Sequence, residues 1–303
     1  MDKRNFLVLT FGTLLASTIL TACSSNQSTQ NKLQNLEDVT TVAFMQLANE
    51  SKEHIWYNID DSNDDGQISK DDSIDAIYIT KNGKINTYFI RELTLSDVKD
   101  KNTEEVKKLA IEQDKAYFEV NKEDAIPSSG DKEAEKAEYY NQLIASWERT
   151  IEQIKAYPEE FSDPDLELSL ASDELTKLKE EKDRTLKSLA ELKKLTYADF
   201  SAQHLNKPAK ATVKTDSTGN TVVGEAPEFW FYRINQMNGE VEVVNYNYYC
   251  TTTISGLVYN TYYVGYVNPD EGVNNDSFLI TAVPNESVLI AFDKLDTKNV
   301  TEE

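Results

Sequence analysis

The hydrophobic positions of the chain begin with one uninterrupted run, Phe6 to Leu20, which follows Lys3 and Arg4. A short basic segment followed by apolar or small residues is typical of a secretory signal. The run is shorter than the about 20 residues that a membrane-spanning helix needs, and no second run of that length follows it. The pattern therefore predicts an exported protein whose signal, residues 1–22, is removed, and which does not span a membrane.

The next segment, residues 36–125, changes its periodicity twice. Apolar residues between Leu33 and Tyr57 recur partly at helical spacing and predict a helix. An acidic loop follows, and then two alternating segments flank Asn82 and Gly83, the pair that a type I′ turn favours. These segments predict a hairpin of the strands Ile74 to Thr80 and Lys84 to Arg91.

Two further segments predict helices. Helical spacing resumes from Thr94 to Val120, with a start signal near Asn102. Residues 131–195 are dense in Glu and Lys and carry apolar stripes at intervals of three and four. The stripes are Tyr140, Leu143, Trp147, Ile151 and Ile154 on the first arm, and Leu175, Leu178, Leu186, Leu189 and Leu192 on the second. With a break between Pro158 and Pro164, they predict a coiled-coil-like antiparallel hairpin that projects as a rod of roughly 37 Å.

The last region, residues 208–303, alternates with period two between turn signals and is rich in tyrosine, which predicts strands. No βαβ repeat is present, which argues against the doubly wound fold of transporter-type solute-binding proteins. The predicted class is therefore α+β: a mainly antiparallel β body with flanking helices and an inserted helical hairpin.

The charge of the chain indicates which partners it can bind, and its cysteine content indicates whether a disulfide can stabilise the fold. The formal net charge is −22, so the chain should repel nucleic acid and anionic lipid headgroups and attract divalent cations or basic partners. Only Cys23 and Cys250 are available, so the fold must stand without a disulfide if the first is modified.

The end of the signal resembles a known processing motif. Leu20, Thr21, Ala22 and Cys23 resemble the bacterial lipobox, in which the cysteine is diacylated and becomes the new N-terminus. The resemblance implies a lipid anchor on Cys23 that holds the protein on the outer, extracytoplasmic face of the cell membrane, since two acyl chains give stable attachment. Residues 23–35 then form a polar tether.

The acidic loop, Asp61 to Asp72, resembles the twelve-residue calcium loop of EF-hands and dockerin-like modules. Gly66 and Ile68 fix the register, because position six needs a positive φ and position eight is usually apolar. The resemblance implies one structural Ca²⁺ site with the ligands Asp61, Asn63, Asp65, Gln67 through its carbonyl, Ser69 through water, and Asp72. Position twelve is Asp where EF-hands prefer Glu, and a strand follows in place of the exiting helix. The alternative is a solvated acidic turn.

The remaining chemistry is sparse. His54 and His204 lie far apart in sequence, so a zinc site or a His-based triad has little material. The aromatic strands offer anchors for a protein or glycan partner, although such residues more often pack a core.

In outline the chain is similar to uncharacterised surface lipoproteins of low-GC Gram-positive bacteria, a resemblance that implies no catalytic residues. We expect a non-enzymatic surface module that binds an envelope or host partner. The alternatives are a cell-wall-associated enzyme or accessory subunit, or a solute-binding lipoprotein. A deep cleft with two or more converging titratable groups favours the enzyme, and a convex body with an aromatic patch favours binding.

Overall fold

A computed structural model describes residues 40–63, 65–126, 132–269 and 277–303, except for the side chain of Lys132. The expected signal, Cys23 and the tether lie outside the described residues. The described part belongs to one compact unit, Val39–Glu303.

Helices and strands alternate irregularly along the described residues. The helices are α1 Phe44–Ala48, α2 Thr103–Ala125, α3 Lys132–Ala156, α4 Pro164–Lys194 and α5 Tyr197–Ser201, with a 3₁₀ turn at Pro158–Glu160. The strands are β1 Thr40–Val42, β2 His54–Asp60, β3 Ser73–Lys81, β4 Lys84–Thr94, β5 Lys207–Pro208, β6 Ala211–Thr215, β7 Val222–Ile234, β8 Val241–Asn247, β9 Thr252–Val258, β10 Thr261–Asn268, β11 Ser277–Val283, β12 Val288–Ile290 and β13 Val300–Glu302.

Strands from both ends of the chain share one sheet. The seven-stranded sheet has the order β5-β4-β3-β2-β11-β10-β9, and a four-stranded sheet has the order β13-β6-β7-β8. Pairing is antiparallel throughout these sheets except between β13 and β6; a separate pair, β1 and β12, is parallel. The class is therefore α+β with mainly antiparallel sheets, as the sequence predicts.

The two faces of the seven-stranded sheet bury different cores. One face places Tyr57 and Ile77 against Val106 of α2. The opposite face places Trp56 and Tyr78 against residues of the four-stranded sheet, and the Tyr78 ring stacks on Phe229 with a centroid distance of 3.9 Å. Because strand side chains alternate between faces, β2 and β3 serve both cores.

The predicted helical hairpin is present, and its base is docked on the body. Tyr140 of α3 lies between the arms and donates to Glu181 of α4 over 3.1 Å. At the C-terminal end of α4, Leu192 packs with Phe118 of α2 and Tyr232 of β7. The hairpin therefore does not stand free along its whole length.

One of the two helices predicted in the N-terminal region needs correction. The helix predicted from Leu33 to Tyr57 is wrong in its described part, which holds β1, the five-residue α1 and the start of β2. Strand β2 is central and pairs with both β3 and β11, and such long-range pairing overrides local periodicity. The start predicted near Asn102 for the next helix is confirmed, since α2 begins at Thr103 with Asn102 as its cap, and the residues from Thr94 to Lys101 lie outside the helix.

The Asn82–Gly83 turn is confirmed, since both residues have positive φ, 53° and 72°, as a type I′ turn requires. None of the helices in the described ranges has the length and apolarity needed to cross a membrane.

Candidate functional site

A cleft opens between the two sheets, with a cavity volume of about 930 Å³. The seven-stranded sheet contributes Asn58, Asp60, Asp75, Asn268 and Ser277 to one wall. The opposite wall is aromatic and contains Phe231, Tyr246, Tyr248 and Tyr249. We call this space the cleft.

The cleft lies where the core between the sheets gives way to polar residues. Along β2, the fully buried Trp56 is followed on the same face by Asn58 and then by Asp60, because alternate residues share a face. Polar side chains at these two positions leave the end of the inter-sheet space unfilled by apolar groups.

A β-bulge brings the second carboxyl group to the same place. In the pairing of β2 with β3, Asn58 lies opposite Ala76 and Ile59 lies opposite Ile74, so Asp75 has no partner residue. A bulge of this kind redirects a side chain. Asp75 therefore lines the cleft together with Asp60.

The two carboxyl groups interact directly. Burial raises the pKa of Asp75 to about 7, and the charge of Asp60 and a hydrogen bond to Asp60 raise it further in the same direction. Each of two adjacent carboxylates disfavours the ionisation of the other unless an opposite charge lies close by. Among the described lining residues, no Lys, Arg or His supplies that charge.

Hydrogen bonds tie the aromatic wall to the sheet opposite. Tyr248 Oη and Ser277 Oγ lie 2.9 Å apart, and Asn268 Nδ2 donates to Tyr246 Oη over 3.0 Å. The Tyr246 side chain is still 42% exposed, so part of its ring is open to a ligand. The cleft is thus preformed and combines apolar faces with a few polar groups, as ligand sites usually do.

The acidic loop connects β2 to β3 directly beside the cleft. Gly66 has a φ of 69°, as position six of a calcium loop requires. Asp61 is buried and accepts hydrogen bonds from the backbone N–H groups of Asp65 (3.3 Å) and Gly66 (2.6 Å). Asn63, Asp65 and Gln67 are exposed, and Asp65 accepts from the Gln67 N–H over 2.9 Å.

Asp72 closes this loop and is completely buried. Its Oδ2 accepts from the Ser69 N–H over 2.7 Å, whereas Oδ1 is buried without a hydrogen-bond partner. Burial raises the pKa of Asp72 to about 6, and the charges of Asp61 and Asp65 add to the rise. A carboxylate oxygen that has no hydrogen-bond partner and lies near other carboxylates is a suitable ligand for a cation.

The side chains of the loop are nevertheless not arranged as a set of metal ligands. Within the described ranges, no three His, Cys, Asp or Glu side chains are grouped so that they could hold a metal ion. Asp61 and Asp72 are buried carboxylates, whereas Asn63, Asp65 and Gln67 are exposed.

The remaining candidates from the sequence are structural. His204 is fully buried, and its Nε2 lies 3.3 Å from Asp114 Oδ2, which also accepts from Tyr197 Oη over 2.9 Å. His54 lies on β2 beside Glu50, 2.8 Å away. Cys250 is fully buried, and burial raises the pKa of its thiol, so it is unsuited to act as a nucleophile.

Sequence reasoning missed the cleft. It singled out the aromatic strands and the acidic loop separately, and it gave no role to Asp60 or Asp75, which flank the loop. Comparisons of the chain with protein-family models, with curated proteins and with solved structures find no match.

Proposed function

We propose that the protein is a lipid-anchored surface module on the extracytoplasmic face of the cell membrane, and that it binds an envelope or host partner in the cleft. The observation that carries the proposal is the cleft itself, in which exposed aromatic rings face a pair of interacting carboxyl groups. Aromatic side chains are effective anchors because they offer large contact areas at low entropic cost. The partner therefore inserts a small group, such as a side chain or a sugar unit, into this space.

The binding activity can be tested in solution by NMR. The isolated full-length protein, labelled with ¹⁵N and with tyrosine-specific ¹³C, is titrated with small sugars, amines, carboxylic acids and capped amino acids. We expect one class to shift the signals of Tyr246 and Tyr249, with Tyr139, on the helical hairpin, as an unperturbed control. If no class shifts the cleft signals at concentrations up to about 10 mM, at which even millimolar affinity is visible, the proposal is refuted.

A second candidate function is acid–base hydrolysis, which the interaction of Asp60 with Asp75 favours. Carboxyl groups in hydrogen-bond contact are too close for glycosidases, which need about 5 to 9.5 Å between them. They resemble in principle the proton-sharing pair that peptidases use. Incubation with a peptide library near pH 5 tests this function. Cleavage that is lost in the Asp60→Asn variant supports hydrolysis. If the library stays intact, the binding function is the one that remains.

An uptake-system binding subunit fits less well. Such a protein closes two lobes around its ligand, whereas the cleft lies between two sheets within one compact unit.

The lipid anchor is part of the proposal and rests on the lipobox-like residues 20–23. Wild-type protein should partition with the membrane and carry acyl chains by mass spectrometry, whereas Cys23→Ser should be neither acylated nor processed. A wild-type protein without acyl chains, together with a mutant that is processed normally, contradicts the anchor.

The acidic loop is proposed to bind one Ca²⁺ through Asp61, Asn63, Asp65, the Gln67 carbonyl and Asp72, with Ser69 acting through water. The donor chemistry and the orphaned Asp72 oxygen support this proposal, which includes closure of the loop around the ion. Calcium would neutralise the repulsion among these carboxylates and stabilise the link between β2 and β3.

Calorimetry of the protein, stripped by chelator and titrated with calcium, tests the site. Calcium at about ten times its dissociation constant should stabilise the fold by about 1.4 kcal/mol, and magnesium should substitute poorly because it demands strict octahedral geometry. Asp61→Ala with Asp65→Ala should abolish the effect, while Asp71→Ala, at a non-ligating position of the same loop, should not. Equal melting temperatures with and without millimolar calcium would reduce the segment to an acidic turn.

A further inference from the structure

We infer that the group received by the cleft is an organic cation, whose ammonium nitrogen binds between Asp60 and Asp75 while its carbon chain lies against Tyr246 and Tyr249. This inference rests on the proposed function and adds the chemical class of the ligand. It follows from three features of the cleft: uncompensated charge, an unused acceptor and open aromatic faces.

The charge is the first feature. Asp60 and Asp75 meet in one wall of the cleft, and among the described lining residues no basic side chain balances them. A ligand that brings a positive charge supplies the compensation that the described lining lacks.

The unused acceptor lies next to the pair. Asn58 lines the same wall, and its Oδ1 is buried without a hydrogen-bond partner. A primary ammonium has three N–H donors, so it can bond to both carboxylates and still has a donor for a further acceptor in this wall.

The aromatic wall is the third feature. Tyr246 and Tyr249 are 42% and 47% exposed, although aromatic residues on strands usually pack into a core. The faces of aromatic rings attract cations, by roughly 0.5 to 2 kcal/mol in proteins, and they also pack against an alkyl chain. Walls of this kind do not coordinate metal ions, so the site suits an organic cation better than a bare divalent ion.

A neutral ligand fits the same walls less well. A sugar hydroxyl can bond to the carboxyl pair, but it leaves the repulsion between Asp60 and Asp75 in place.

Isothermal titration calorimetry with cadaverine, a primary diamine, tests the inference on the full-length protein. Titrations at pH 7.5, at low and at high salt, measure the affinity. The affinity should fall as the salt concentration rises, because salt screens the attraction between the ammonium group and the carboxylates. Pentanediol, the neutral analogue, should not bind.

Variants separate the carboxyl pair from general charge. Asp60→Asn and Asp75→Asn should each weaken cadaverine binding at least about tenfold at pH 7.5. Glu92→Gln removes the same charge from a side chain that is 81% exposed and does not line the cleft, so it should bind like the wild type. Nα-acetyl-lysine methylamide distinguishes the source of the amine: tighter binding than cadaverine indicates a lysine side chain of a peptide, and weaker binding indicates a free amine.

Three results would overturn the inference: no heat with either amine up to about 10 mM, equal binding of pentanediol and cadaverine, or unchanged binding by the Asp75→Asn variant. Failure of the inference and failure of the proposed function are distinguishable by the NMR panel. If sugars shift the cleft signals and amines do not, the binding function stands and the ligand class is wrong. If no class of ligand shifts them, both fail.

Discussion

Asp75→Asn should make the unliganded protein more stable, although it removes a residue from the proposed binding site. Asp75 is held at the bulge beside Asp60, and its pKa is raised from 3.8 to about 7. The folded protein therefore binds the proton more tightly than the unfolded chain does. Stability should fall as the pH rises from about 4 to about 7 and then become constant.

The size of the stability effect follows from the rise in the pKa of Asp75. Without solvent screening, this rise corresponds to a loss of about 4 kcal/mol in stability at neutral pH. Asp75 is solvent-accessible in the cleft, so screening reduces the loss to about 1–2 kcal/mol. Asparagine keeps the shape and can still donate a hydrogen bond to Asp60, but it carries no charge. The melting temperature at pH 7.5 should rise by roughly 3–6 °C for a chain of this size.

Thermal unfolding followed by circular dichroism, at several pH values without ligand, measures this effect. The Asp75→Asn variant should gain most at neutral pH and nothing near pH 4. The control Glu92→Gln should follow the wild type within about 1 °C, because an exposed charge contributes little. A variant that melts below the wild type, or one that gains equally at all pH values, would refute the reasoning about the carboxyl pair.

Two further substitutions test the packing around the site. Asp114→Ala should lower the free energy of unfolding, measured in urea, by about 3 kcal/mol, because buried donors, including His204 Nε2 at 3.3 Å, lose their acceptor. Glu119→Gln, on the exposed side of the same helix, should leave the stability unchanged. A similar loss of stability in both variants would contradict the role of the buried network. Gly265→Ala places a Cβ 2.0 Å from the carbonyl oxygen of Leu279, so it should lower the free energy of unfolding by about 3 kcal/mol or more. A soluble variant with the urea midpoint of the wild type would show that β10 and β11 are less tightly paired.

Local signals in the sequence predict part of this fold well. The apolar stripes of the helical hairpin and the Asn82–Gly83 turn depend on contacts within short segments, and both are observed. The first residues of strand β2 have the spacing of a helix, but their role is set by pairing with β11, whose first residue, Ser277, lies opposite Asp60. Periodicity within one segment contains no information about such a distant partner.

The cleft could not be predicted for a related reason. Asp60 and Asp75 belong to different strands, and only the bulge at Asp75 turns both side chains to the same face. The aromatic wall comes from Tyr246 and its neighbours, far along the chain. In a sequence with 53 acidic residues, no pattern marks these two as a pair, whereas the acidic loop between them has a spacing that can be recognised.

The central claim is that the cleft between the sheets is the binding site, and a crystal structure of the protein soaked with cadaverine tests it most directly. The account predicts ligand density in the cleft, with one ammonium nitrogen within about 3 Å of the carboxyl groups of Asp60 and Asp75 and the carbon chain beside Tyr246. An empty cleft in crystals that hold the ligand at another surface would contradict the account.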